Sequence, residues 1–405
     1  MRLAEPLSEE DAMVQSMPDA SPAKWHMAHT TWFFETFILS EQVSGYRIFN
    51  PEYRLLFNSY YKALGGHPVR QQRGTFSRPS FNNVIRYREH VNEAIQRLLA
   101  TDPSTEVLAF VELGINHEQQ HQELLLTDIL HAFWTQPLRP SYAPPSADGS
   151  TVVGAASSAP PLQWISHPGG TFEMGAPDDG FAFDNERPRF HTLLAPYRFA
   201  SRLATNAEYL EFMKDRGYQR PELWLSDGWD TVCREGWRAP LYWEGKGEDE
   251  WHEFSLRGMN PLNPAAPVNH VSYYEADAFA RWAGARLPLE TEWEQVAKHR
   301  SIAGNLLENF ALDARPSTSN SASQEDQLFG DLWEWTGSAY LPYPGFRPAP
   351  GAVGEYNGKF MCNQFILRGG SFATSATHIR ASYRNFFPPH VRWQFMGIRL
   401  ADNER

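Results

Sequence analysis

Apolar residues recur at spacings of three and four through the first third of the chain, in VIRYREHVNEAIQRLL and again in VLAFVELGINHEQQHQELLLTDILHAF. That period predicts amphipathic helices. SPAKWHMAHTTWFFETFIL is a third candidate, opened by Ser21 and Pro22 as a start signal. Several long helices within residues 7–136 predict a bundle. From 137 to 162 the chain reads QPLRPSYAPPSADGSTVVGAASSAPP, whose Pro, Ser, Ala and Gly are linker composition. Beyond it the period breaks up. Segments are short, Gly and Pro are frequent, and only EADAFARWAG and LETEWEQVAKHR read as a helix pair. The expected architecture is a helical bundle over 1–136, a linker over 137–162 and a loop-rich α+β domain over 163–405.

A length of 405 residues is too great for one ordinary core, which agrees with that division. Composition then works by exclusion. A net charge of -12 argues against nucleic acid or an anionic membrane as partner. No apolar run approaches a membrane span. The start, MRLAEPLSEEDAMVQ, is acidic and has no apolar stretch, so the cytoplasm is the expected compartment. Two cysteines, Cys233 and Cys362, are too few for a disulfide framework and read as free thiols.

The chemistry begins at HEQQHQE. His117 and His121 stand four apart on a predicted helix, so both rings face one point, the geometry of a two-histidine metal clamp. A polar helix face that happens to carry two histidines is the competing reading, and a third ligand decides between them. In a bundle it comes from a facing helix. His26 and His29, three apart in KWHMAHTTWFFE, are the candidates.

SPAKWHMAHTTWFFE, HEQQHQE and FNSYYKALGGHPVRQQRGTFSRPS together resemble the DinB-like domain of the EgtB family, the sulfoxide synthases of ergothioneine synthesis. GGTFEMGA, NHVSYYEADAFARWAGARLPLETEWE, FGDLWEWTGSAY, LRGGSFAT and the final WQFMGIRLA resemble the formylglycine-generating-enzyme-like fold, a C-type-lectin-like domain. The two resemblances follow one another in the family's order and cover nearly the whole chain. They imply a DinB-like bundle carrying a three-histidine Fe(II) site at His29, His117 and His121, because the family keeps a histidine at the end of W-x-x-x-H, here Trp25 to His29. Three neutral imidazoles leave three positions on iron for a thiolate, dioxygen and a second substrate. A zinc site of three histidines and a water is the rival. The implied reaction joins the sulfur of cysteine or γ-glutamylcysteine to the imidazole of hercynine, with O2 as co-substrate.

Several side chains follow from the resemblance. Tyr60 and Tyr61 resemble the catalytic tyrosines of the branch that uses free cysteine, with Tyr61 delivering a proton or hydrogen atom during oxygen activation and Tyr60 assisting. Arg70 is the preferred clamp for the thiol substrate's carboxylate, with Arg73 as its alternate. Gln120, three past His117, faces the metal side and can hydrogen-bond substrate. Trp393 and Phe395 offer aromatic faces to hercynine's trimethylammonium in a site that family members form between their domains. Gly369, Gly370, Trp293 and Trp333 are read as maintaining the fold. Alternatives within reach are a selenoneine synthase using a selenosugar and a zinc-dependent DinB-type thiol transferase. Formylglycine generation needs a cysteine pair that HIRASYRNFF lacks.

Overall fold

The computed structural model describes residues 1–59, 61, 66, 68–144, 158–247, 250–319, 324–348 and 357–404. Two compact units divide between Ala143 and Pro144, inside the stretch read as linker. The first is helical. Helix α1 (Ala23–Phe34) starts after Pro22, whose carbonyl accepts from Trp25 and His26, and 11 of its 12 residues are buried, so it runs through the unit's centre. It ends in a π-turn, Glu35–Leu39. Helix α2 (Phe81–Leu99) is capped by the Ser80 side chain and buries Val84, Tyr87, Val91 and Ala94, one stripe at helical spacing. Helix α3 (Thr105–Thr135) is capped by Ser104; its 31 residues make a rod about 46 Å long.

Side chains lock these helices in place. The buried Glu35 carboxylate accepts from Tyr46 Oη (2.8 Å), Phe49 N (3.0 Å) and Tyr87 Oη (2.7 Å), tying the end of α1 to α2. Gly114 of α3 lies against α1: a Cβ there would stand 2.7 Å from Phe34 Cε1, so only glycine allows the approach. Around them Trp25, Trp32, Phe33, Phe57 and Tyr61 form an aromatic-rich core.

The second unit is built of short strands and helices. Trp164–His167, Tyr197–Ala200 and Ala401–Asn403 make an antiparallel sheet. Trp333–Ala339 pairs antiparallel with Phe365–Arg368 and parallel with Met396–Gly397 in a second. The expected helix pair forms as Tyr273–Trp282 and Glu290–Ala297, and two further helices stand beside it, Asn206–Lys214 and Ser226–Glu235. The first of these has a capping box, Thr205 with Glu208, which T-x-x-E could have announced. In the other, Gly228 disguises the helix; a Cβ there would stand only 3.0 Å from Tyr274. Residues of LETEWE, LRGGSFAT, FGDLWEWTG and WQFMGIRLA hold this unit together through buried ion pairs. Glu290 accepts from Arg368 and Arg384, while Glu334 accepts from Arg399 and from Trp293 Nε1. Gly369 and Gly370 take φ of +97° and +80°, which glycine alone tolerates easily.

Candidate metal centre

Helix geometry brings His117 and His121 one turn apart on α3, with ring centroids 4.7 Å from one another. α1 sets His29 against both, at 5.0 Å and 4.8 Å. Each ring offers one nitrogen, and the three nitrogens lie within 4.8 Å of one another. No other group of three or more ligand-type side chains gathers this way among the described residues.

The protonation of the cluster suits a cation. Burial holds His117 down to about 3, and burial with the neighbouring His117 holds His29 well below the ordinary imidazole range. His121 is lowered likewise, by burial first and then by the other histidines. All three are therefore neutral and keep a lone pair. His29 Nδ1 lies 2.7 Å from the Phe57 carbonyl, which can only accept, so Nδ1 carries the proton and Nε2 the lone pair. That Nε2 is buried and makes no hydrogen bond, a costly arrangement that a metal ion would relieve. The residues present fit a metal.

A second layer surrounds the ligands. His26 lies 2.8 Å from His121, nitrogen to nitrogen, and 3.0 Å from Asp128 Oδ2. Trp25 stacks on His29 at 4.5 Å, and Arg73 lies over Trp25 at 3.5 Å from the ring centroid. Arg73 is buried, donates to Ser21 Oγ at 2.9 Å, and adds positive potential at His29 and His121. The turn that carries it, Arg70–Thr75, is pinned by Gln15, which accepts from Gly74 N and donates to the Arg70 carbonyl, and by Lys24, which donates to the Phe76 and Pro79 carbonyls.

The other expected site residues fall as follows. Arg70 is exposed and donates to the Asp19 carbonyl, so Arg73, the alternate, is the arginine this fold brings to the histidines. Tyr61 is buried, its ring 5.7 Å from Trp32, which in turn stacks on His29 at 5.5 Å. Asn58 brackets its backbone at both N–H and carbonyl. Tyr60 lies outside the described residues. Gln120 is half-buried on α3. In the second unit Trp393 is half-buried, whereas Phe395 has no exposed surface and packs on Phe372 and His270 at 4.3 and 5.7 Å. The sequence reading missed the contact partners of His26, although Asp128 sits seven past His121 and thus on the same face of α3.

Residues 150–327 and 325–404 match the family model of the sulfatase-modifying factor enzyme 1-like domain. A three-histidine centre on a helical unit, followed by a domain of that kind, defines the class. Hercynine oxygenase of Mycolicibacterium smegmatis is 33% identical over 71% of this chain and 70% of its own length. The chain belongs to that family, the EgtB proteins. Ergothioneine biosynthesis protein 1 of Schizosaccharomyces pombe is 27% identical over 55% of this chain and 28% of its own. The formylglycine-generating enzyme of Streptomyces coelicolor is 28% identical over 58% of this chain and 88% of its own.

Proposed function

We propose that this protein is an Fe(II)- and O2-dependent sulfoxide synthase of ergothioneine biosynthesis, joining the sulfur of a thiol to the imidazole of hercynine. The observation that carries the reading is the trio of neutral histidines, two buried and one half-buried, with His29 Nε2 left without a hydrogen bond. Likeness to hercynine oxygenases supplies the substrate. His29, His117 and His121 hold the iron, which when bound supplies oxygen activation and a seat for the thiolate. The electron count closes without a reductant. Dioxygen takes two electrons as the C–S bond forms and two as sulfur is oxidised; one oxygen atom ends on sulfur and the other in water.

The chain's own residues bind and orient. Arg73 is the cation nearest the ligands that a substrate carboxylate can use, its guanidinium held flat by Trp25. A single such arginine suits free cysteine, with γ-glutamylcysteine as the second choice. Tyr61, one ring removed from His29, moves a proton or hydrogen atom, with Tyr60 assisting. Gln120 hydrogen-bonds substrate from α3.

Metal-free protein reloaded anaerobically with Fe(II), Zn(II) or neither, then given hercynine, O2 and a choice of cysteine, γ-glutamylcysteine or a selenosugar, tests the reading by mass spectrometry. A sulfoxide from cysteine with iron alone is expected. Product with zinc, or none with iron, would overturn it. Alanine at His29, His117 or His121 abolishes metal retention, whereas His26→Ala still loads fully when metal is saturating.

A further inference from the structure

Two of the three ligand histidines are held in one tautomer by different means. His29 uses the Phe57 carbonyl directly. For His121 the chain is longer. Asp128 Oδ2 accepts from Ser21 N at 2.7 Å and faces His26 Nε2 at 3.0 Å. In a neutral His26 ring the nitrogen that faces the carboxylate oxygen is the donor, so Nε2 donates and Nδ1 carries the lone pair. That lone pair meets His121 Nδ1 at 2.8 Å, a distance that requires one proton between them. The proton therefore sits on His121 Nδ1, and His121 Nε2 is left open, as His29 Nε2 is.

We infer that Asp128 and His26 form a positioning relay that fixes the proton on His121 Nδ1 and so presents Nε2 to the metal. The inference rests on the metal site proposed above and adds two residues that never touch the ion. The anchoring is reciprocal. Ser21, whose N–H binds Asp128, also accepts from Arg73 through its hydroxyl, so the arginine that steadies Trp25 against His29 is joined to the relay serving His121. Orienting partners of this kind change metal affinity by about 10- to 100-fold when removed.

Co(II) titration of the full-length protein, read by its visible absorbance, tests this without turnover. His26→Leu removes the acceptor, while His26→Asn puts an amide oxygen close to where Nδ1 stood. The expected result is affinity about 10- to 100-fold weaker in His26→Leu and recovered to within a few-fold in His26→Asn. Asp128→Ala should resemble His26→Leu, and Asp128→Asn, which keeps one acceptor oxygen, should fall between. Histidine 15N spectra of the metal-free protein read the tautomer itself: Nδ1–H at His121 in the wild type and His26→Asn, a mixture in His26→Leu. If the wild type binds no Co(II), the metal site itself fails and the relay with it. Tight wild-type binding with an equally tight His26→Leu overturns the relay alone. Equal weakness in His26→Leu and His26→Asn also overturns it, because lost packing is then sufficient cause. Should Asp128→Ala not fold, the His26 pair decides.

Discussion

Arg73 and Arg70 differ by three positions and by everything around them. One is buried over an indole beside the ligands; the other is exposed on a backbone carbonyl. Arg73→Lys keeps the charge but loses the planar stack and fork, and a charge-assisted bond is worth about 1.5–3 kcal/mol. The KM for the thiol should rise about 10- to 100-fold in Arg73→Lys and stay within about twofold in Arg70→Lys, with initial rates across thiol concentration as the check. Tyr61→Phe deletes one hydroxyl and keeps the ring's contacts with Trp32 and Phe37. If that hydroxyl moves the proton, sulfoxide synthesis drops by about 10²- to 10⁴-fold while direct oxidation of the thiol to a sulfinic acid rises. An unchanged product ratio at full metal content would leave Tyr61 as packing. At this scale the sequence was legible wherever spacing alone sets direction. His117 and His121 follow from 3.6 residues per turn, and His29 from the need for a third ligand together with the family's pattern. Which of two arginines turns inward depends on contacts from Gln15 and Lys24, more than forty positions away, and no local pattern carries that.

Among the elements, α3 carries two of the proposed ligands and α1 the third, so the distance between these helices sets the candidate site. Gly114, three positions before His117, permits their contact. Gly114→Val should lower stability by about 1–3 kcal/mol through overpacking and weaken metal binding as well, because Phe34 has to move. Thermal midpoint and Co(II) affinity measured on one preparation check both; a loss of stability with unaltered affinity would mean that the helices adjust away from the ligands. Helices α2 and α3 were visible in the apolar period because each is long enough to repeat it, whereas α1, buried nearly all round, was announced by its Ser-Pro start. Helix Ser226–Glu235 was not, since it is short and contains a glycine kept for closeness to Tyr274. The strands were equally silent, being two to seven residues long with few alternations to count.

For the molecule as a whole, buried ionisable groups set how stability varies with pH. Burial lowers six described histidines, His29, His117, His121, His131, His270 and His378. Each takes up a proton near pH 6.5 once unfolded but resists it when folded, so its contribution is present above about 6.5 and lost as pH falls. Half-buried Glu253 and Asp313 and buried Asp331 run the other way: raised to about 8, 6 and 6, they favour the fold as pH falls toward 4. Each group contributes at most about 1.4 kcal/mol per pH unit; Asp184, Asp277, Glu294 and Glu334 are raised as well, but they act only below their folded pKa, whereas the unfolded histidines take up protons from about pH 6.5 downward. The metal-free protein should therefore be most stable near pH 6.5 and weaken toward pH 4.5, as urea midpoints across that range would report. A midpoint that rises on acidification would contradict this balance.

His26 and His121, 95 positions apart, meet at the same place as the ligands, so an ion bound there ties two distant stretches of backbone into a closed circuit. In that respect the metal acts like a removable cross-link. It narrows the freedom of the unfolded chain only while it is bound, and at a concentration 100 times its dissociation constant it adds about 2.7 kcal/mol to the folded form. Stripping it with a chelator should make the first unit open to proteolysis sooner than the second, and the order of fragments in a timed digest would reveal it. If the proposed site holds a metal, the protein's lifetime in the cell would then follow the supply of that ion.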